Sequence, residues 1–204
     1  RYLRERGITD DSVHRFHLGF APDCRDWLTA RARDANISGD RLEKVGVIGR
    51  SQERGDRYER FRGRVLFSIR DAQGRPVGLG GRLLPELGLS SPAKYVNSPE
   101  TPLFSKSSLL YGLDVARDGI HRSKTVLVTE GYTDCIAAHQ AGFDNTVAVL
   151  GTALGERHTK ILRRLTDRVV LILDGDAAGQ RRSNEVLELF LAEQIDLRIA
   201  TLPE

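Results

Sequence analysis

The chain contains no methionine and only two cysteines, Cys24 and Cys135, which lie far apart and outside any Cys-x-x-Cys spacing. That argues against a disulfide framework and against a cysteine-based zinc site, and it fits a reducing cytoplasm. Long apolar runs are also lacking. The longest purely aliphatic stretch, Val169-Val-Leu-Ile-Leu173, falls far short of the roughly 20 residues a membrane span requires, and no charged-then-apolar leader opens the chain. Neither membrane insertion nor secretion is expected. No internal repeat or low-complexity segment stands out. The chain opens at Arg1 without an initiator methionine, so it reads as a piece of a longer protein.

What is present is an ordinary balance of 40% hydrophobic and 29% charged residues over 204 positions, enough for one good-sized domain or two small ones with a packed core. The formal net charge is only +3 and the isoelectric point lies near 9.0, too mild to diagnose a nucleic-acid partner. The distribution says more than the sum. Nine arginines fall between Arg50 and Arg82, whereas the paired acids described below all follow residue 129. A basic surface facing an acidic pocket suits a polyanion handled by a metal.

Periodicity divides the chain. Residues 1 to 49 read as helical, with Thr9 before Asp10 and Asp11 as a helix start, a helix over 23–35 carrying Trp27, Leu28 and Ala32, and a shorter one from Ser38 to Val45 stopped by Gly46. From Arg62 the period changes to two. Val65, Phe67 and Ile69 alternate with Arg64, Leu66, Ser68 and Arg70, and Asp71-Ala-Gln-Gly74 turns the chain into Pro76 to Leu84, which predicts a β-hairpin. Pro85 to Pro102 reads as loop and Ser107 to Ala116 as helix. After Lys124, strand and helix alternate: strands over 125–129, 146–150, 168–173 and 197–202, helices over 133–141, 156–164 and 178–193. This predicts an α/β fold in which a parallel sheet flanked by helices, residues 123–204, follows a smaller mixed α+β basic subdomain, residues 1–122.

Parallel sheets bind ligands beyond the carboxyl ends of their strands, and that is where the acids fall. Glu130 ends one predicted strand and Asp134 lies four residues on, in the first turn of a helix, where an anion is favoured. Asp174 and Asp176 flank Gly175 at the end of another strand, where two carboxylates can grip one ion and the glycine lets a metal or phosphate approach. Carboxylates brought this close repel unless protonated or bridged by cations, and magnesium is the cation expected. Taken singly, Asp174-Gly-Asp176 reads equally as a solvated turn and Asp134 as a helix cap. Together the two phrases favour a metal site. Gly151-Thr-Ala153, at a third strand end, offers backbone N–H groups and a hydroxyl to a phosphate, or is a plain turn. Tyr132 has no neighbouring base that would mark it as a nucleophile and is assigned to packing or positioning. Arg62 and Arg64 on one strand face, Arg82 on the partner strand and Lys94 beyond it form a candidate phosphate-binding set, against the alternative of an ordinary charged surface. The five histidines show no metal-ligand spacing and read as surface or core residues.

Glu130-Gly-Tyr-Thr-Asp134, Leu150-Gly-Thr-Ala-Leu154 and Asp174-Gly-Asp-Ala-Ala-Gly179 resemble, in order and spacing, the TOPRIM domain of bacterial primases, topoisomerases and some nucleases. The upstream phrases Arg60-Phe-Arg-Gly-Arg-Val-Leu-Phe67, Gly78-Leu-Gly-Gly-Arg82, Lys94-Tyr-Val-Asn-Ser-Pro-Glu-Thr101 and Leu110-Tyr-Gly-Leu113 narrow this, with Tyr2-Leu-Arg-Glu-Arg-Gly-Ile8 and Gly19-Phe-Ala-Pro22 near the start. They are similar to the RNA-polymerase core of DnaG-type bacterial primase, and the similarity spans essentially the whole chain.

The resemblance implies synthesis of short RNA primers from nucleoside triphosphates on a single-stranded DNA template, with magnesium or manganese in the acidic pocket. It assigns Glu130, Asp134, Asp174 and Asp176 to the metal, with Glu130, Asp174 and Asp176 catalytic, and Arg82, Lys94 and Lys106 to nucleotide or template phosphates. It also implies a zinc-binding domain and a replicative-helicase-binding domain, neither of which is expected in this chain, and a helical bundle after the last strand. A TOPRIM nuclease or a topoisomerase-type fragment would use the same acids for other chemistry.

Overall fold

Thr9 precedes two aspartates, and its hydroxyl accepts the Ser12 amide at 3.2 Å, capping the helix that follows. In the computed structural model, which describes residues 1–53, 55–88, 93–174 and 187–202, the chain opens with α1 (Tyr2–Glu5) and α2 (Asp10–Arg15). There follow β1 (Leu18–Ala21), α3 (Trp27–Asp34), α4 (Gly39–Lys44), β2 (Ile48–Arg50), β3 (Arg57–Glu59), β4 (Arg64–Arg70), β5 (Pro76–Leu83) and β6 (Tyr95–Asn97). α5 (Leu113–Ser123) leads into the second half, which runs β7 (Val126–Thr129), α6 (Tyr132–Gln140), β8 (Thr146–Ala148), α7 (Glu156–Arg163), β9 (Arg168–Asp174), a helical stretch at 187–192 and β10 (Asp196–Leu202).

The first half is built on an antiparallel sheet in the order β1-β4-β5-β6, with β2 and β3 as a separate ribbon. The β4–β5 hairpin forms as its pattern predicts. Asp71 closes the turn by accepting the Gln73 and Arg75 amides, each at 3.0 Å. Residues 1–49, expected to be helical, also contain β1 and β2, and the expected loop over 85–102 contains β6. These strands are three or four residues long and all three lie at a sheet edge, so pairing defines them and periodicity does not. The helix expected over 107–116 begins later. Gly112, at φ +77°, is the N-cap of α5, while Leu110 reaches the core from an extended segment whose next residue, Tyr111, bridges to Ala148.

The second half is the parallel sheet, in the order β10-β9-β7-β8. Val126, Val128, Val147, Val169 and Leu171 pack against Ala116 and Ile120 of α5 and Leu162 of α7. A second core joins the halves. Tyr132 stacks on Phe67 at 4.8 Å and meets Tyr111 edge-on at 4.7 Å. Gly80 makes this possible, because a Cβ there would lie 2.6 Å from Tyr132 Cζ. Gln140, at the other end of α6, accepts the Thr9 amide at 2.9 Å and donates to the Gly7 carbonyl at 2.8 Å. Both ends of α6 are therefore fixed to the first half. Among the described residues no helix is long and apolar enough to cross a membrane.

Candidate active site

The four strands of the second sheet run in one direction, so β7, β8 and β9 release their loops on one side. β7 is hydrogen-bonded to both β8 and β9. Val128 pairs with Leu171, so Glu130 leaves β7 level with Leu173, one residue before β9 ends at Asp174. Neighbouring strands lie about 4.8 Å apart, which brings these two backbone ends to one edge. A cleft of about 420 Å³ opens there, lined by Glu130, Gly151, Thr152 and Ala153 on its polar side and by Leu171, Leu173 and Leu189 on its apolar side.

Glu130 is half-buried at this cleft, and Asp134 is exposed in the first turn of α6. The Asp134 carboxylate folds back over Gly131, where any Cβ would overlap its Oδ2 atom. Glycine is therefore required between the two acids for the rotamer Asp134 adopts. Of the remaining predicted acids, Asp174 is placed by its backbone, while Asp176 lies outside the described residues, as does most of the helix expected over 178–193. Among the described residues no three histidine, cysteine or acidic side chains form a metal-type cluster.

Two polar side chains hold the edge of this site to the antiparallel sheet. Asn97, at the end of β6, accepts the Tyr132 hydroxyl at 2.6 Å and donates to the Leu150 carbonyl at 2.7 Å. One amide thus ties the first residue of α6 to the loop after β8. The sequence reading leaves Asn97 without a role, since it stands in a stretch rich in proline, glycine and serine. Burial pushes the Tyr132 phenol far up and the Cys135 thiol likewise, so neither is an ionised nucleophile.

The predicted basic set divides. Lys94 is exposed and Lys106 half-buried. Arg62 pairs with Asp23 at 2.7 Å. Arg64, expected on a phosphate-facing surface, is instead 4% exposed and donates to the carbonyls of Gly81, Ala93 and Lys94, which makes it a structural clamp. Arg82 is also 4% exposed, with its guanidinium 4.9 Å from the Tyr95 ring and 5.7 Å from the Tyr2 ring. Its Nε and Nη1 atoms have no hydrogen-bond partner.

The antiparallel sheet is thus docked on the parallel one, with Glu130 and Asp174 at the carboxyl ends of the latter's neighbouring strands. The sequence matches the family model "DNA primase catalytic core, N-terminal domain" over residues 1–117 and the Toprim domain model over residues 124–201. The chain belongs to the DNA primase catalytic core family. It is 43% identical over 203 residues to a DNA primase of Deinococcus radiodurans, covering 99% of this chain and 35% of that protein. It thus spans about a third of the length of the curated relatives it matches. Among solved structures it superposes on the RNA polymerase domain of Mycobacterium tuberculosis primase DnaG with a TM-score of 0.89 at 33% identity, covering all of this chain and 67% of that one. A DnaG primase catalytic domain bound to single-stranded DNA gives a TM-score of 0.86 at 38% identity, covering all of this chain and 63% of that one.

Proposed function

We propose that this chain joins ribonucleotides into a short RNA primer on a single-stranded DNA template. One observation carries the reading: in a chain of the primase core family, Glu130 leaves β7 beside the strand that ends at Asp174, at the mouth of one cleft. We draw the boundary between the basic subdomain and the TOPRIM domain at residues 122 and 123, where α5 ends.

The proposed metal-binding residues are Glu130, Asp134, Asp174 and Asp176. Their donor chemistry is all carboxylate oxygen, without sulfur or imidazole, and that fits magnesium or manganese better than zinc. When bound, such a cation supplies charge that neutralises a triphosphate and lowers the pKa of an attacking hydroxyl. The protein's own share is position and charge. The primer 3′-oxygen attacks the α-phosphorus of the incoming nucleotide, pyrophosphate leaves, and Glu130 is the assigned acceptor of the hydroxyl proton. Lys94 and Lys106 are assigned to nucleotide and template phosphates. Arg82 joins them with two N–H nitrogens that have no protein partner beneath the Tyr95 ring.

In the full-length protein, Glu130→Ala and Asp174→Ala are each expected to lower dinucleotide synthesis at least about 100-fold without lowering Tm. An active variant with either change removes that residue from the mechanism. Incubation with labelled DNA and manganese but no nucleotides is expected to leave the strand intact; cleavage would move the reading to a nuclease.

A further inference from the structure

His158 is a buried imidazole that the proposed reaction does not use, yet both of its nitrogens are engaged. Nδ1 accepts the Gly155 amide at 3.2 Å, and Nε2 lies 2.9 Å from the Lys106 carbonyl. An amide N–H only donates and a carbonyl only accepts, so the ring is neutral and carries its proton on Nε2. The residue is 1% exposed, and burial holds it less basic than an ordinary histidine, which keeps this tautomer in place at neutral pH. Lys106 is tied at its other end as well, since its amide donates to Glu100 Oε1 at 3.0 Å. The short 3₁₀ turn Lys106–Ser108 is therefore fastened to the start of α7, directly after the loop whose Gly151, Thr152 and Ala153 line the cleft.

We propose that His158 is a positioning residue for Lys106, holding its backbone against the cleft-lining loop so that the ammonium stays in register with the phosphates of an incoming nucleoside triphosphate. This rests on the reading of Lys106 as a phosphate-binding residue. The competing role for His158 is that of a helix cap alone, through Nδ1 and Gly155. The two nitrogens can be separated by substitution. In His158→Gln the amide nitrogen stands where Nε2 stood and still donates to Lys106, whereas in His158→Asn the amide stands where Nδ1 stood and still accepts from Gly155.

The measurement is steady-state primer synthesis by the full-length protein, with KM for nucleotide and kcat taken separately. His158→Asn is expected to raise KM about tenfold with little change in kcat, and His158→Gln to stay within about twofold of the parent. The reverse order, or no effect from either variant, overturns the proposal. If both raise KM, the Lys106→Ala background decides: a positioning role adds nothing further there, whereas damage to the fold persists and overturns it. Lys106→Ala alone must raise KM. If it does not, the reading of Lys106 fails and takes the positioning role with it, whereas a failure confined to the His158 variants leaves Lys106 standing.

Discussion

In the antiparallel half three arginines are buried, each against a different partner: Arg64 among three carbonyls, Arg70 against Asp114, and Arg82 between two tyrosine rings. In the parallel half the buried polar residues of the described chain are neutral, namely Thr129, Thr146, Thr159, Thr166, His139 and His158. Glu130, just past the end of β7, and Asp134, in the first turn of α6, stand outside the core. Arginine stays charged under all ordinary conditions, so Arg64 and Arg70 are compensated inside the first half and serve the fold, whereas Arg82 keeps two nitrogens without a protein partner and is the buried cation assigned to a ligand. Among its described residues the second half keeps ionised groups out of its core, and the acids of the proposed site stand outside that core. The partners a charge meets, which residue type alone does not reveal, therefore separate charges that serve the fold from those proposed to serve a ligand.

Breaking the compensation in the first half should have the largest effect on stability. Arg70 and Asp114 are 2.9 Å apart with side chains 8% and 9% exposed, and Arg70 also donates to the Arg15 carbonyl. Asp114→Ala leaves a buried guanidinium without its counter-charge, and a loss of about 3–5 kcal/mol is expected from urea unfolding. The exposed Glu156–Lys160 pair of α7 is the control, where Glu156→Ala is expected to leave the urea midpoint unchanged. Equal losses from the two would erase the distinction between the halves.

The seam is next. Gly80→Ala puts a methyl group against the Tyr132 ring and should lower stability by about 1–3 kcal/mol. If Tyr132 is the link between the halves, the same variant also shifts the metal concentration needed for half-maximal synthesis, because Tyr132 lies between Glu130 and Asp134. Loss of stability with an unchanged metal requirement would make the seam purely structural.

The neutral histidines give a pH test of the other half. His139 donates to the Thr146 carbonyl at 2.8 Å while its Nδ1 is buried without a partner, and His158 has both nitrogens engaged. Burial makes both less basic in the folded chain than in the unfolded one. The unfolded chain then takes up the extra protons, so stability is full above about pH 6.5 and falls as pH drops below it, by at most about 1.4 kcal/mol per pH unit for each histidine. Replacing His139 with Gln is expected to flatten that slope in urea titrations between pH 5 and 7.5. An unchanged slope would place the pH sensitivity elsewhere.

Much of this was legible in the sequence, and the failures have a physical pattern. Within the described residues the parallel half is legible almost element by element, because continuous apolar runs alternating with helices leave a signal even at strands as short as β7 and β8. β1, β2 and β6 leave none, since Leu18-Gly-Phe-Ala21, Ile48-Gly-Arg50 and Tyr95-Val-Asn97 are short and interrupted by glycine or polar residues, and pairing alone defines them. The phrases around Glu130 and Asp174 pointed to strand ends, and the backbone puts them there. Arg64 and Asn97 could not be read correctly. Whether an arginine faces solvent or three carbonyls, and whether an asparagine at a strand end bridges a helix start and a distant loop, depends on partners 17 to 53 residues away in the chain.

The smallest effect sharpens the comparison at a single atom. Gly131 adopts an extended backbone that any residue tolerates, so it is not glycine for conformational reasons. It is glycine because the Asp134 carboxylate occupies the space a Cβ would take. In Gly131→Ala the carboxylate must rotate away, an exposed side chain leaving one rotamer for another, so the expected change in stability is below about 1 kcal/mol. If Asp134 helps to hold the cation, the metal concentration for half-maximal primer synthesis should rise several-fold while Tm stays put, and Asp134→Asn should produce the same shift with no further rise in the double variant. An alanine variant with a parental metal requirement would leave Asp134 as a helix-end charge and confine the site to the strand ends.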